Sequence, residues 1–180
     1  GGAPGGGAGN TAAQNLLADR KAITDSPEKM IRKPRPVWMP AGVDASKTRD
    51  TRGRLPLHAL CCNDAVTPAL LRVLLDAHSV AAIVSDLEGC LPLHLLCSNP
   101  AVTEPLIETL VEVMRKFAPD GQNVGPLVES PDAWGQLPLH RLCANSYLYT
   151  ELLDCVVALH LGAVRRKDGK GWTPLHHLLR

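Results

Sequence analysis

The sequence predicts an all-α, helical-repeat solenoid with an extended N-terminal arm, and three observations carry that prediction. One phrase recurs four times in register. The apolar residues that follow each copy fall at helical spacing. The first 49 residues are rich in Gly, Pro and basic side chains and carry too few large apolar ones to fold alone.

The phrase runs from Gly53 through Leu55, Pro56, Leu57 and His58 to Cys61. It returns from Gly89 through His94 to Cys97, from Gly135 through His140 to Cys143, and from Gly171 through His176 to Leu179. The intervals between the glycines are 36, 46 and 36 residues. An acidic residue stands three positions before each glycine: Asp50, Asp86, Asp132 and Asp168. Five residues past the first three histidines come Asn63, Asn99 and Asn145. Further on, apolar pairs recur in register: Leu70–Leu71 and Leu74–Leu75, Leu106–Ile107 and Leu110–Val111, Leu152–Leu153 and Val156–Val157.

Each position has a physical reading. Asp-x-x-Gly is a turn whose glycine supplies positive φ and whose side chains face solvent. Proline fixes φ at the first position of a short helix. The Asn five residues past His is expected to end that helix in the left-handed conformation. Thr67–Pro68 and Thr103–Glu104–Pro105 read as caps of a second helix, whose apolar pairs form one buried stripe. A single helix pair cannot bury that stripe, whereas stacked pairs bury a continuous core.

These residues resemble the ankyrin repeat, with its Asp-x-x-Gly-x-Thr-Pro-Leu-His-x-Ala pattern. The resemblance covers residues 50–180, divided as 50–85, 86–131, 132–167 and a partial 168–180. Leu55, Leu91 and Leu137 replace the family's Thr, which only Thr173 retains, and Leu60, Leu96, Leu142 and Leu178 replace its Ala. The Thr hydrogen bond to the motif histidine is therefore not expected in three repeats. Ten additional residues between the second and third repeats, within 117–131, read as an enlarged Gly/Pro-rich loop, either a tolerated insertion or a binding loop. Leu175, Leu178 and Leu179 call for a covering helix, so the array is expected to continue past Arg180.

The arm, residues 1–49, starts with a run of glycines, and short helices are expected to about Ile23 and from Ser26 to Pro34. Arg32, Lys33 and Arg35 then alternate with prolines and lead to Trp38 and Met39, a composition suited to extended chain. This stretch either docks on a partner or covers the open end of the first repeat. Residues 1–54 carry ten Lys/Arg and five Asp/Glu, a net +5, whereas residues 55–180 carry nine and thirteen, a net −4. A basic arm on an acidic body suits an acidic docking surface. The sequence opens at Gly1, so any targeting segment lies outside it.

Six cysteines and seven histidines raise the question of a metal. His58/Cys61, His94/Cys97 and His140/Cys143 each place two donors on one helix face. Equivalent positions of stacked helices are about 8–10 Å apart, too far for four donors to share an ion or for two cysteines to bridge. The cysteines are expected to be structural, with Cys90, beside a turn glycine, the exposed and reactive one. Unpaired cysteines fit the cytoplasm or another reducing compartment, organelle interiors included. No nucleophile–base set, phosphate loop or apolar run of membrane-spanning length occurs. Arg165, Arg166, Lys167 and Lys170 make a small basic patch of the kind usually found on solvated turns. The expectation is a non-catalytic protein-interaction scaffold, a subunit of or adaptor to a larger assembly, with no cofactor, nucleic acid, membrane span or small-molecule substrate. The alternative is a regulatory segment of a larger enzyme or channel. The resemblance implies that turn tips and first helices read the partner. Those positions are Arg52, Arg54, Glu88, Cys90, Trp134, Gln136, Arg141, Lys170, Trp172 and His177, with Arg32, Lys33, Arg35, Trp38 and Met39 of the arm.

Overall fold

A computed structural model of the chain describes Gly1, residues 44–118 and residues 123–179. The arm's expected helices and the residues Arg32, Lys33, Arg35, Trp38 and Met39 lie outside these. The described residues form eight α-helices and no strand. They are α1 Pro56–Cys61, α2 Pro68–Ala77, α3 Pro92–Ser98, α4 Glu104–Arg115, α5 Gly125–Val128, α6 Pro138–Cys143, α7 Thr150–Leu159 and α8 Pro174–Leu178. None is long and apolar enough to cross a membrane.

Each motif proline opens its helix, as fixed φ and a dispensable N–H require. The four motif glycines are the only described residues with positive φ, at 72°, 75°, 75° and 79°. Before each glycine the aspartate closes the turn, because one carboxylate oxygen accepts two backbone N–H groups. Asp86 takes those of Glu88 and Cys90 at 2.9 and 2.8 Å, and Asp132 those of Trp134 and Gln136 at 2.9 and 2.8 Å. Asp50 and Asp168 do the same in their turns. The sequence reading put these side chains in solvent; Asp86, Asp132 and Asp168 are instead buried. A carboxylate that satisfies two turn donors gains more from facing inward than from hydration.

The short first helices pack in series, α1 on α3, α3 on α6 and α6 on α8, and the longer second helices do likewise, α2 on α4 and α4 on α7. Leu57, Leu93, Leu139, Leu71, Leu106, Ile107, Leu110 and Leu152 are fully buried between them. Each such side chain contributes about 1.5–3 kcal/mol of hydrophobic stabilisation. The middle pair, with a neighbour on each side, buries both members of each apolar doublet on α4. The first buries only Leu71 and Leu75 of its own, leaving Leu70 exposed. Leu175, Leu178 and Leu179 on and after α8 are exposed.

Three expectations change. None of Asn63, Asn99 and Asn145 adopts the left-handed conformation; Asn99 has φ −77°. Asn99 instead reaches back across the stack, where its Nδ2 donates to the carbonyls of Cys61 and Asn63 at 2.9 and 3.0 Å. Asn145 repeats this on Cys97 and Asn99 at 3.1 and 2.9 Å. The preceding helix thus gains partners for carbonyls that its own C-terminus leaves orphaned. Thr67 caps α2 through Leu70 N–H, but Thr103 makes no side-chain cap. The interval 117–131 is more than a loop, for its second half folds into α5, where Val124 and Val128 join the core. His160, at the end of α7, meets Glu129, at the end of α5, through Nε2 and Oε1 at 2.9 Å.

Candidate functional site

The turn tips form one row. Leu87 N–H donates to Arg52 O at 3.0 Å, Ala133 N–H to Glu88 O at 2.8 Å and Gly169 N–H to Trp134 O at 2.8 Å, so each turn is tied to the next by a backbone hydrogen bond. Glycine matters here beyond its φ. A Cβ on Gly135 would stand 2.7 Å from Gly169 N.

Beneath the row, the motif histidines anchor helix to turn. In all four repeats Nδ1 accepts the backbone N–H of the residue three positions earlier, Leu55, Leu91, Leu137 or Thr173, at 3.1–3.2 Å. No Thr is needed for this bond because a main-chain donor supplies it; Thr173 adds its hydroxyl at 2.7 Å. With Nδ1 used as acceptor, the proton sits on Nε2. Nε2 of His94 donates to Gln136 O at 3.2 Å and that of His140 to Trp172 O at 3.1 Å. Nε2 of His58 is buried without a hydrogen-bond partner. Burial pushes the His58, His94 and His140 imidazoles below their ordinary pKa, His94 to about 4. Neutral rings whose nitrogens serve the backbone have no lone pair to offer a metal.

The cysteines separate sharply. Cys61, Cys97 and Cys143 are buried, and burial raises their thiols. Cys90, expected to be exposed and reactive, is also fully buried, with its thiol pushed up to about 11 by burial. The stacking of the third repeat covers it, and Arg141 approaches its sulfur at 3.3 Å. Cys62 is the exposed cysteine. Donor atoms of Asp86, Glu88 and Cys90 lie within 4.8 Å of one another. A protonated thiol is a poor ligand, and Asp86 already accepts two N–H groups, so the trio is a weak metal set.

The expected partner-reading residues divide into two groups. Arg52, Trp134 and Lys170 project into solvent, Trp134 with 51% exposure. Glu88, Gln136 and Trp172 are half-buried along the same row, as is Arg54, which pairs with Asp50 at 2.9 Å. Cys90, Arg141 and His177 instead turn inward. Arg141 grips Asp132 through Nε at 2.9 Å and a second nitrogen at 2.6 Å, and its guanidinium lies 5.4 Å from the Trp134 ring centroid. His177, whose side chain is 7% exposed, meets Asp168 at 2.9 Å and stands edge-on to His140 and Trp172. Both partners stand nine residues after their aspartate, so the recurrence is visible in the sequence, yet spacing alone does not tell an inward bond from an outward contact. Ala133, Trp134, Gly135, Gln136, Arg141 and Lys170 line a groove of about 630 Å³ between the third and fourth turns. Asp132 holds Arg141, Arg141 supports Trp134, and the turn bonds fix the backbone, so the groove's walls are set in advance. No protein-family model matches the chain, and no curated protein matches it.

Proposed function

We propose that the chain is a non-catalytic protein-binding scaffold, an ankyrin-like solenoid that serves as a subunit of or adaptor to a larger assembly. The observation that carries this reading is the row of hydrogen-bonded turn tips bearing Trp134, with Arg52, Lys170 and Trp172 beside it and a preformed groove of about 630 Å³ below. Large aromatics and cations on a rigid backbone supply contact area at low entropic cost, which is how few residues dominate an interface. The motif histidines, buried aspartates and cysteines are committed to the fold, leaving chemistry of recognition rather than catalysis at the surface. Stacked first helices and stacked second helices, each serving only its neighbours, support the solenoid.

The test is to recover the partner by affinity purification with the wild-type chain and measure its dissociation constant against Trp134→Ala and Lys170→Ala. Hot-spot truncation costs about 2 kcal/mol or more, roughly thirtyfold in affinity. Trp134→Ala should reach that loss with an unchanged melting temperature. Unaltered affinity in both variants would remove the turn row as the binding surface.

A further inference from the structure

The acidic charge of the folded body is concentrated on the second helices. Together α2, α4 and α7 carry Asp76, Glu104, Glu108, Glu112, Glu151 and Asp154 against Arg72 and Arg115, a net −4. On α4 the glutamates 104, 108 and 112 recur every fourth residue and so form a single ridge, rising about 6 Å per step. All three are exposed. Glu112 is paired with Arg72 at 2.9 Å, while Glu104 and Glu108 have no ion-pair partner among the described residues. Beside this ridge runs a groove of about 620 Å³, walled by Ile107 and Val111 of α4 and by Cys155, Ala158 and Leu159 of α7, with Arg72 and Arg115 lining it beside the three glutamates. The carboxylates act on that groove. The Cys155 thiol on its wall is raised first by burial and then by Glu104 and Glu108.

We propose that this groove docks a basic helical segment of a partner protein. Its Lys or Arg residues, four positions apart, pair with Glu104 and Glu108, and an apolar side chain between them enters the groove against Ala158 and Leu159. Charge complementarity selects the cations, because Arg72 is taken up by Glu112 while Glu104 and Glu108, one turn apart, have no ion-pair partner among the described residues and gain from each cation that approaches. Backbone chemistry selects the helix. The groove is walled by helices whose main-chain groups are already bonded, and Thr109 spends its hydroxyl on Pro105 O at 2.7 Å. An extended peptide finds no donors or acceptors there, whereas a helix satisfies its own. This surface lies on helices other than those bearing the turn row, so a partner here leaves the Trp134 groove open.

Fluorescence anisotropy of the full chain tests the proposal. The probe is a labelled Ala-rich helical peptide with two Arg four residues apart and a Leu between them, compared with its Glu-for-Arg counterpart. Saturable binding of the Arg peptide alone is expected, weakened at least about tenfold by raising salt from about 50 to 300 mM. A loss of similar size is expected for the double variant E104Q/E108Q, with Trp134→Ala unaffected. Both glutamates are exposed, and an unchanged far-UV circular dichroism spectrum verifies that the variant is folded. Absence of saturable binding, or equal affinity of E104Q/E108Q, overturns the proposal. Self-association of the chain that E104Q/E108Q abolishes overturns it too, by making the occupant a second copy.

Discussion

Asn99→Ala measures what holds one repeat to the next. The side chain is buried and makes three bonds. Its Nδ2 donates to Cys61 O and Asn63 O at 2.9 and 3.0 Å, and its Oδ1 accepts from Ala101 N–H at 2.8 Å. Asn63 O keeps a second partner in Val66 N–H, whereas Cys61 O, at the end of α1, depends on Asn99. Three net bonds at about 1 kcal/mol each, with one carbonyl left buried and unpaired, give a cost of about 3 kcal/mol. That corresponds to a fall of roughly 6–12 °C in melting temperature for a domain of this size. Asn63 is the control built into the sequence. It occupies the same motif position but reaches no earlier repeat, and only its Oδ1 is engaged, with Ala65 N–H at 2.8 Å on an exposed turn. Asn63→Ala should cost under about 1 kcal/mol. Asn99→Asp keeps the acceptor, removes both donors and sets a carboxylate against two carbonyls, so it should cost at least as much as Asn99→Ala. Urea unfolding followed by far-UV circular dichroism reads all three. Equal losses for Asn63→Ala and Asn99→Ala would refute the idea that the asparagines act between repeats.

Gly135→Ala should be destabilising by about 2 kcal/mol or more in the same melts, since positive φ adds about 1–2 kcal/mol and its Cβ would meet Gly169 N at 2.7 Å. Gly171→Ala, at φ +79° but in open space, should show the conformational part alone, so equal costs would count against the turn-to-turn contact. Stability should fall on mild acidification. His94 stays neutral in the fold down to about pH 4 while its unfolded counterpart protonates near 6.5, so the unfolded state gains protons between these values. The predicted loss from pH 7 to pH 5 is about 2 kcal/mol from His94 alone, with His58 and His140 adding in the same direction. A urea midpoint flat over that range would contradict the buried neutral ring. Thiol titration of the native protein at neutral pH should find Cys62 reacting first and Cys155 more slowly. Cys61, Cys90, Cys97 and Cys143 should stay silent until unfolding, and a fast-reacting Cys90 would mean that the third repeat does not cover it.

Much of the helical body was legible in the sequence because its causes are local. Proline at a first helical position, glycine at a turn and apolar doublets at helical spacing act over a few residues, so Pro56, Gly53 and Leu71–Leu75 declare helix, turn and core without reference to the rest. The exposed Trp134 and Lys170 were legible for the same reason, since a turn tip points outward whatever stacks beside it. The stacking of repeats decided the remainder. Asn99 looks like a helix terminator because its own neighbourhood permits that role; only the preceding helix, 38 residues away in the chain, offers the carbonyl that claims its side chain. Asp132 and Arg141 look like solvent-facing charges until the fold brings them to 2.6 Å, and Cys90 looks exposed until the third repeat closes over it. By itself the sequence determined where helices begin, where the chain turns and which faces are apolar, since these follow from backbone sterics and spacing. Which polar side chains turn inward and which remain for a partner was decided by tertiary structure alone. That choice depends on whether a neighbouring repeat supplies a hydrogen-bond partner good enough to replace water.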